Sequence, residues 1–182
     1  MTSVFSNRAT SAAAGAEEYR RVMLGQLDGR PPLEILGELP SAIEELTREA
    51  PGELLSRPEA EGKWSVAQVV QHLADSELIY GCRLRMVIAQ DRPRIVGFDQ
   101  DLFATRLHYE NTVLKDALQV LTTVRVANLR LLTSLSPEAF QRVGEHEERG
   151  EESLDLMCRL CAAHDLMHRR QIARILLAVG AS

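Results

Sequence analysis

Cys161-Ala-Ala-His164-Asp-Leu-Met-His168-Arg-Arg-Gln171-Ile172 places two histidines four residues apart. On an α-helix that spacing sets one side chain a turn above the other, so two ring nitrogens converge on a single ion. Steps of three and four from Leu154 through Met157, Cys161, His164, His168, Gln171, Ile175 and Ala178 trace one stripe that should face a core. The stripe is apolar at both ends, yet its middle carries two imidazoles and a carboxamide, groups that cost free energy when buried without partners. A third imidazole, His72, lies far upstream in Trp64-Ser-Val-Ala-Gln-Val-Val-Gln-His72-Leu-Ala-Asp-Ser-Glu77. The pattern points to a divalent-metal site of His72, His164 and His168 between two helices. The alternative is three unconnected histidines, hydrogen-bonded in the core or half exposed.

Three neutral imidazoles leave a coordination position open, as catalytic metal sites do. An ion there turns water or a thiol into a nucleophile at neutral pH. The expected chemistry is metal-activated attack on a small electrophile entering beside Tyr80 and Phe98. Asp75, one turn beyond His72, is placed to steady a ligand ring or to bind the ion itself. Cys161 and Gln171 flank the histidine pair on its own stripe. No side chain stands out as a general base. Imidazole suits Zn or Ni first, with Fe, Mn or Cu as alternatives. A different class of function fits the same residues: a non-catalytic bundle whose ion stabilises the fold or a homodimer.

Four amphipathic segments must position these groups. The first runs from Leu33 to about Glu49, disturbed by Pro40. The second starts at Ser65, an N-cap with Gln68 three residues on and Trp64 placed to staple onto Val69. The third spans about Leu102 to Ser134, with Val113, Ala117, Leu121, Val124 and Leu131 inward and a break near Asn111. The fourth is the histidine helix, from Leu154 to Ala178. A short lead-in helix over Glu17–Leu27 precedes them. The charged stretch from Arg142 to Glu152 reads as an irregular connection with His146 solvated, and Glu77 reads as a solvated carboxylate. Almost no segment alternates as a half-buried strand does. The expectation is an all-α, antiparallel four-helix bundle, with residues 1–15 a flexible tail and 16–182 one domain.

Composition narrows the function classes. At 182 residues the chain suits one domain. A net charge of −5 with arginines scattered among acids excludes a nucleic-acid footprint. No apolar run reaches the roughly 20 residues needed to span a bilayer, and the N-terminus lacks the apolar centre of a signal peptide. A cytoplasmic location follows as the expectation. Cys82, Cys158 and Cys161 form an odd set within helical segments, which suits free thiols.

Taken together, Gly62-Lys-Trp64-Ser65-Val, His72-Leu-Ala-Asp75-Ser-Glu77, Gly97-Phe98-Asp99-Gln and His164-x3-His168-x2-Gln171-Ile172 resemble the DinB-like superfamily of four-helix bundles. The resemblance runs from about Tyr19 onward. It implies that His72, His164 and His168 bind a divalent metal. It also implies, at a coarser level, a transferase that uses a low-molecular-weight thiol as co-substrate, or a related hydrolase or isomerase. Relatives of this kind are often dimeric.

Overall fold

Helix α4 (Val66–Ala89) begins where the capping residues require: Gln68 N–H donates to Ser65 Oγ at 3.4 Å, and Ser65 N–H donates to Gln68 Oε1 at 2.8 Å. In the computed structural model, which describes residues 12–180, it is one of four long helices forming the bundle. The others are α2 (Pro32–Thr47), α6 (Leu114–Thr133) and α7 (Leu154–Gly180). Each packs on two neighbours, so the four form a closed ring in the order α2, α7, α4, α6.

The strongest apolar residues fix how α4 and α7 align. Val69, Val70 and Leu73, early in α4, share a cluster with Ile172, Ile175 and Val179, late in α7. Leu84 and Val87, late in α4, cluster with Leu154, Met157 and Cys158, early in α7. The two helices are therefore antiparallel, and His72 lies level with the middle of α7. No described helix is long and apolar enough to cross a membrane.

Shorter elements decorate the bundle. α1 (Ala12–Leu24) and the 3-10 turn Gly25–Leu27 lay Met23 and Leu27 against Leu160 to Ala163 of α7. The lead-in helix thus starts at Ala12 rather than Glu17, so residues 12–15 of the tail expected over 1–15 are helical, while residues 1–11 lie outside the described residues. α3 (Gly52–Ser56) forms inside the connection before α4. The expected third helix is two. α5 (Gln100–Arg106), capped by Asp99 Oδ1 accepting from two backbone amides, is separated from α6 by His108, at φ 56°, and the 3-10 turn Tyr109–Asn111.

The stretch from Arg142 to Glu152 is not irregular. β2 (Val143–His146) and β3 (Gly150–Ser153) pair antiparallel, and β1 (Arg94–Ile95) joins β2 in parallel, giving a small sheet of order β1-β2-β3. Gly144 makes this docking possible, since a Cβ there would fall 2.6 Å from Ile95 Cδ1 and 2.9 Å from Val87 Cγ2. His146, expected in solvent, is 3% exposed because β2 turns alternate residues inward against the bundle.

The bundle interior holds an ion network that the apolar stripes do not announce. Ala117 and Leu121 face inward as expected, but Val113 is exposed, and the inner face of α6 also carries Arg125, Asn128 and Leu132. Arg125 bridges two buried acids. It donates to Asp165 Oδ2 of α7 at 2.5 Å, and its Nη2 lies 2.8 Å from Glu77 Oε2 of α4. It also donates to the carbonyl of Leu36 at 2.7 Å, while Asn128 donates to Glu77 Oε1 at 2.7 Å. Glu77 is accordingly buried rather than solvated, because a guanidinium and a carboxamide satisfy its oxygens.

Candidate metal centre

Adjacent residues of α7 face different ways. Asp165 turns to Arg125 inside the bundle, while His164 turns to α4, where its Nε2 lies 3.0 Å from Nε2 of His72. His168, one turn on, brings its ring centroid to 4.4 Å from that of His164 and 4.8 Å from that of His72. One ring nitrogen from each of the three lies within 4.8 Å of the others. Residues 92 positions apart in the chain thus meet because antiparallel packing sets the second turn of α4 beside the middle of α7.

Two of the three rings are held from outside the cluster. His168 Nδ1 lies 2.8 Å from Gln171 Oε1, a carboxamide oxygen that can only accept, so Nδ1 carries the proton and Nε2 keeps its lone pair for the centre. Trp64, just ahead of the α4 cap, packs on His72 with ring centroids 5.1 Å apart. Tyr109 packs on Trp64 and donates its hydroxyl to Asp75 Oδ2 at 2.6 Å. Asp75 also accepts from Gln71 at 3.2 Å. Its reach to the histidines therefore runs through Tyr109 and Trp64.

Burial keeps the imidazoles neutral. It pushes the pKa of His72 down to about 3, helped by His168, and that of His168 down to about 4 against the opposing bond from Gln171. His164 is driven well below the ordinary histidine value by burial and then by its two neighbours and Arg125. A neutral imidazole that cannot take a proton still offers a lone pair. The donor set fits a divalent ion: ligand bonds of about 2.0–2.1 Å in a tetrahedral arrangement separate donor nitrogens by roughly 3.3 Å. The closest pair here is 3.0 Å apart. Among the described residues the cluster contains no carboxylate, and His164 is its half-buried member, leaving the open side there.

The other residues singled out by sequence lie further along the bundle. Tyr80 and Phe98 meet at Arg83, whose guanidinium carbon is 5.8 Å and 5.7 Å from their ring centroids. Arg83 stands 11 residues beyond His72, about 16 Å of helical rise. Cys161 is buried beside Asp165 and Arg125, where burial lifts its thiol well above the ordinary cysteine range. Cys158 is buried too, while Cys82 is exposed, and all three are free. Sequence reading passed over Tyr109 and Arg125. Tyr109 lies on a 3-10 turn outside any periodic stripe, and Arg125 sits between two valines, where a charge reads as solvent-facing.

The profile of the DinB superfamily matches residues 35–172, and the chain belongs to that superfamily. A "Putative metal-dependent hydrolase" of Oceanobacillus iheyensis is 29% identical over 157 residues, covering 82% of this chain and 91% of its own. One of the same description from Geobacillus kaustophilus is 29% identical over 138 residues, covering 75% of this chain and 78% of its own. Among solved structures, YfiT from Bacillus subtilis, described as a probable metal-dependent hydrolase with an unusual four-helix bundle topology, superposes with a TM-score of 0.75. That likeness, at 20% identity over 97% of this chain and 94% of YfiT, establishes the four-helix bundle.

Proposed function

We propose that this member of the DinB superfamily is a divalent-metal-dependent enzyme in which His72, His164 and His168 hold the ion, and water or a low-molecular-weight thiol attacks a small electrophile. The observation that carries this reading is the convergence of three neutral ring nitrogens within 4.8 Å. The naming of relatives as metal-dependent hydrolases supports the water branch. The resemblance in the sequence motifs supports the thiol branch. Zn or Ni suits an all-imidazole donor set.

When bound, such an ion supplies Lewis acidity that brings the pKa of water or a thiol toward neutrality. The chain's own groups do the rest. Gln171 fixes the tautomer of His168, so its Nε2 lone pair faces the other two rings. Trp64 closes one side of His72 and limits water there. The half-buried edge at His164 leaves an approach for the electrophile.

An ion serving only to hold the fold is disfavoured by packing. α4 and α7 are joined by apolar clusters both before and after the imidazoles, so the helix pair does not depend on a cation between them. The test is to strip the protein with chelator, reload it with Zn or Ni, and assay two reactions: hydrolysis of activated esters and amides, and conjugation of thiols to a chlorinated arene. The reading expects one of them to be lost on stripping, restored on loading, and absent from His164→Ala. Equal rates with and without metal in both assays would refute it.

A further inference from the structure

Arg83 is 8% exposed, yet no carboxylate among the described residues lies within ion-pair distance of it. The neighbouring arginine differs: Arg149 is matched by Glu152, which accepts from its Nε at 2.6 Å and its Nη2 at 3.2 Å. A guanidinium has five N–H donors, and Arg83 uses one of its nitrogens on the Val96 carbonyl. Its faces lie near Tyr80 and Phe98. Neither ring supplies a counter-charge to this mostly buried guanidinium.

A second polar group nearby lacks a hydrogen-bond partner. His146 Nδ1 accepts from the Glu148 amide at 3.2 Å, so its proton is on Nε2, which is buried with no acceptor. Arg83 donates to the carbonyl of Val96, and the adjoining Ile95 pairs with His146 across β1 and β2, which brings the two side chains to the region where α4 meets the small sheet. The acids facing them are Glu152, taken by Arg149, Glu147, paired with Arg94 at 2.6 Å, and Glu148, which acts on Arg83 without reaching ion-pair distance and whose carboxylate lies against Gly97.

We infer that Arg83, together with the Nε2–H of His146 on the adjoining strand β2, forms a binding subsite for the anionic group, carboxylate or phosphate, of a small-molecule ligand. Its donors are charged and planar, and the ring faces of Tyr80 and Phe98 hold the guanidinium in place for a two-pronged contact with paired oxygens. The subsite does not depend on the metal reading. Arg83 shares one side of α4 with His72 about three turns away, so a ligand spanning both would be elongated and anionic at one end.

Calorimetric titration with inorganic phosphate and with malonate tests this on wild-type protein, His164→Ala and Arg83→Met. Expected is saturable binding of at least one of the two anions to wild type and to His164→Ala, weakened about ten-fold or more in Arg83→Met. No saturable binding to wild type, unchanged binding in Arg83→Met, or loss in His164→Ala alone would each overturn it, the last by moving the anion to the imidazoles. Should Arg83→Met not fold, the Arg83 Nε–H resonance of labelled wild type decides. A saturable shift on titration supports the subsite and an unmoved resonance overturns it. Because His164→Ala lacks the proposed metal centre, failure of that reading leaves this result interpretable.

Discussion

Replacing Arg125 by Met removes the cation that Glu77 and Asp165 share, and the loss can be worked from the structure. The guanidinium lies 2.8 Å from Glu77, donates to Asp165 at 2.5 Å and 3.2 Å, and serves the Leu36 carbonyl at 2.7 Å. All three ion-network side chains are 3% exposed or less. Methionine fills most of the volume, so the dominant cost is two buried carboxylates without their counter-charge, about 3–5 kcal/mol. Against a domain stability of about 5–15 kcal/mol this is a large fraction. For a chain of this length it lowers the melting temperature by roughly 6–20 °C. The pH dependence follows in sign. Burial lifts the Asp165 carboxyl from 3.8 to about 6 even with Arg125 in place. Its native state therefore binds a proton more readily than the unfolded chain, and stability falls as pH rises between those values. Removing the guanidinium raises that carboxyl further, so the damage is greatest at pH 8 and partly relieved at pH 5. Urea unfolding followed by circular dichroism at both pH values is the assay. A loss under about 1 kcal/mol, or a larger loss at pH 5 than at pH 8, would refute the reasoning. The triple variant Glu77→Gln, Arg125→Met, Asp165→Asn recovers much of the loss, because no buried charge is left unmatched.

Metal-free protein loses stability as pH falls from about 6.5, because the unfolded chain takes protons that His72 and His168 refuse until about 3 and 4; urea midpoints at pH 7 and pH 5 check this. The same competition by protons makes metal release acid-driven, followed with a chromogenic chelator. Gln171→Leu strips His168 Nδ1 of its acceptor and weakens metal affinity by about 10–100-fold in a competition titration, while His108→Ala leaves it unchanged. Ser65→Ala breaks the capping box at the start of α4 and costs about 1 kcal/mol by denaturant unfolding.

The bundle and its imidazoles were legible because their signals are local. Ser65 and Gln68 announce a helix start, and the stripe through His164 and His168 has the period of the element it sits on. What escaped the sequence is polar burial, where residue type and position disagree. Gly144, His146 and Glu152 occupy the inward positions of β2 and β3, so the sheet is built without the alternating apolar residues that mark a strand. Arg125 is inward on α6 because Asp165 and Glu77 await it on other helices, a fact no single helix carries. Tyr80 and Phe98 were expected beside the metal, where an electrophile enters, but they meet at Arg83, further along α4. Their partner, Arg83, emerges only once the loop after β1 is laid against α4.

The central claim rests on a cation shared by His72, His164 and His168, and elemental analysis of natively purified protein tests it most directly. Wild type is expected to carry about one divalent ion per chain, and His72→Ala, His164→Ala and His168→Ala each to lose it while remaining helical. A full complement of metal retained in all three variants, or folded wild type with none after incubation with Zn or Ni, would contradict the account.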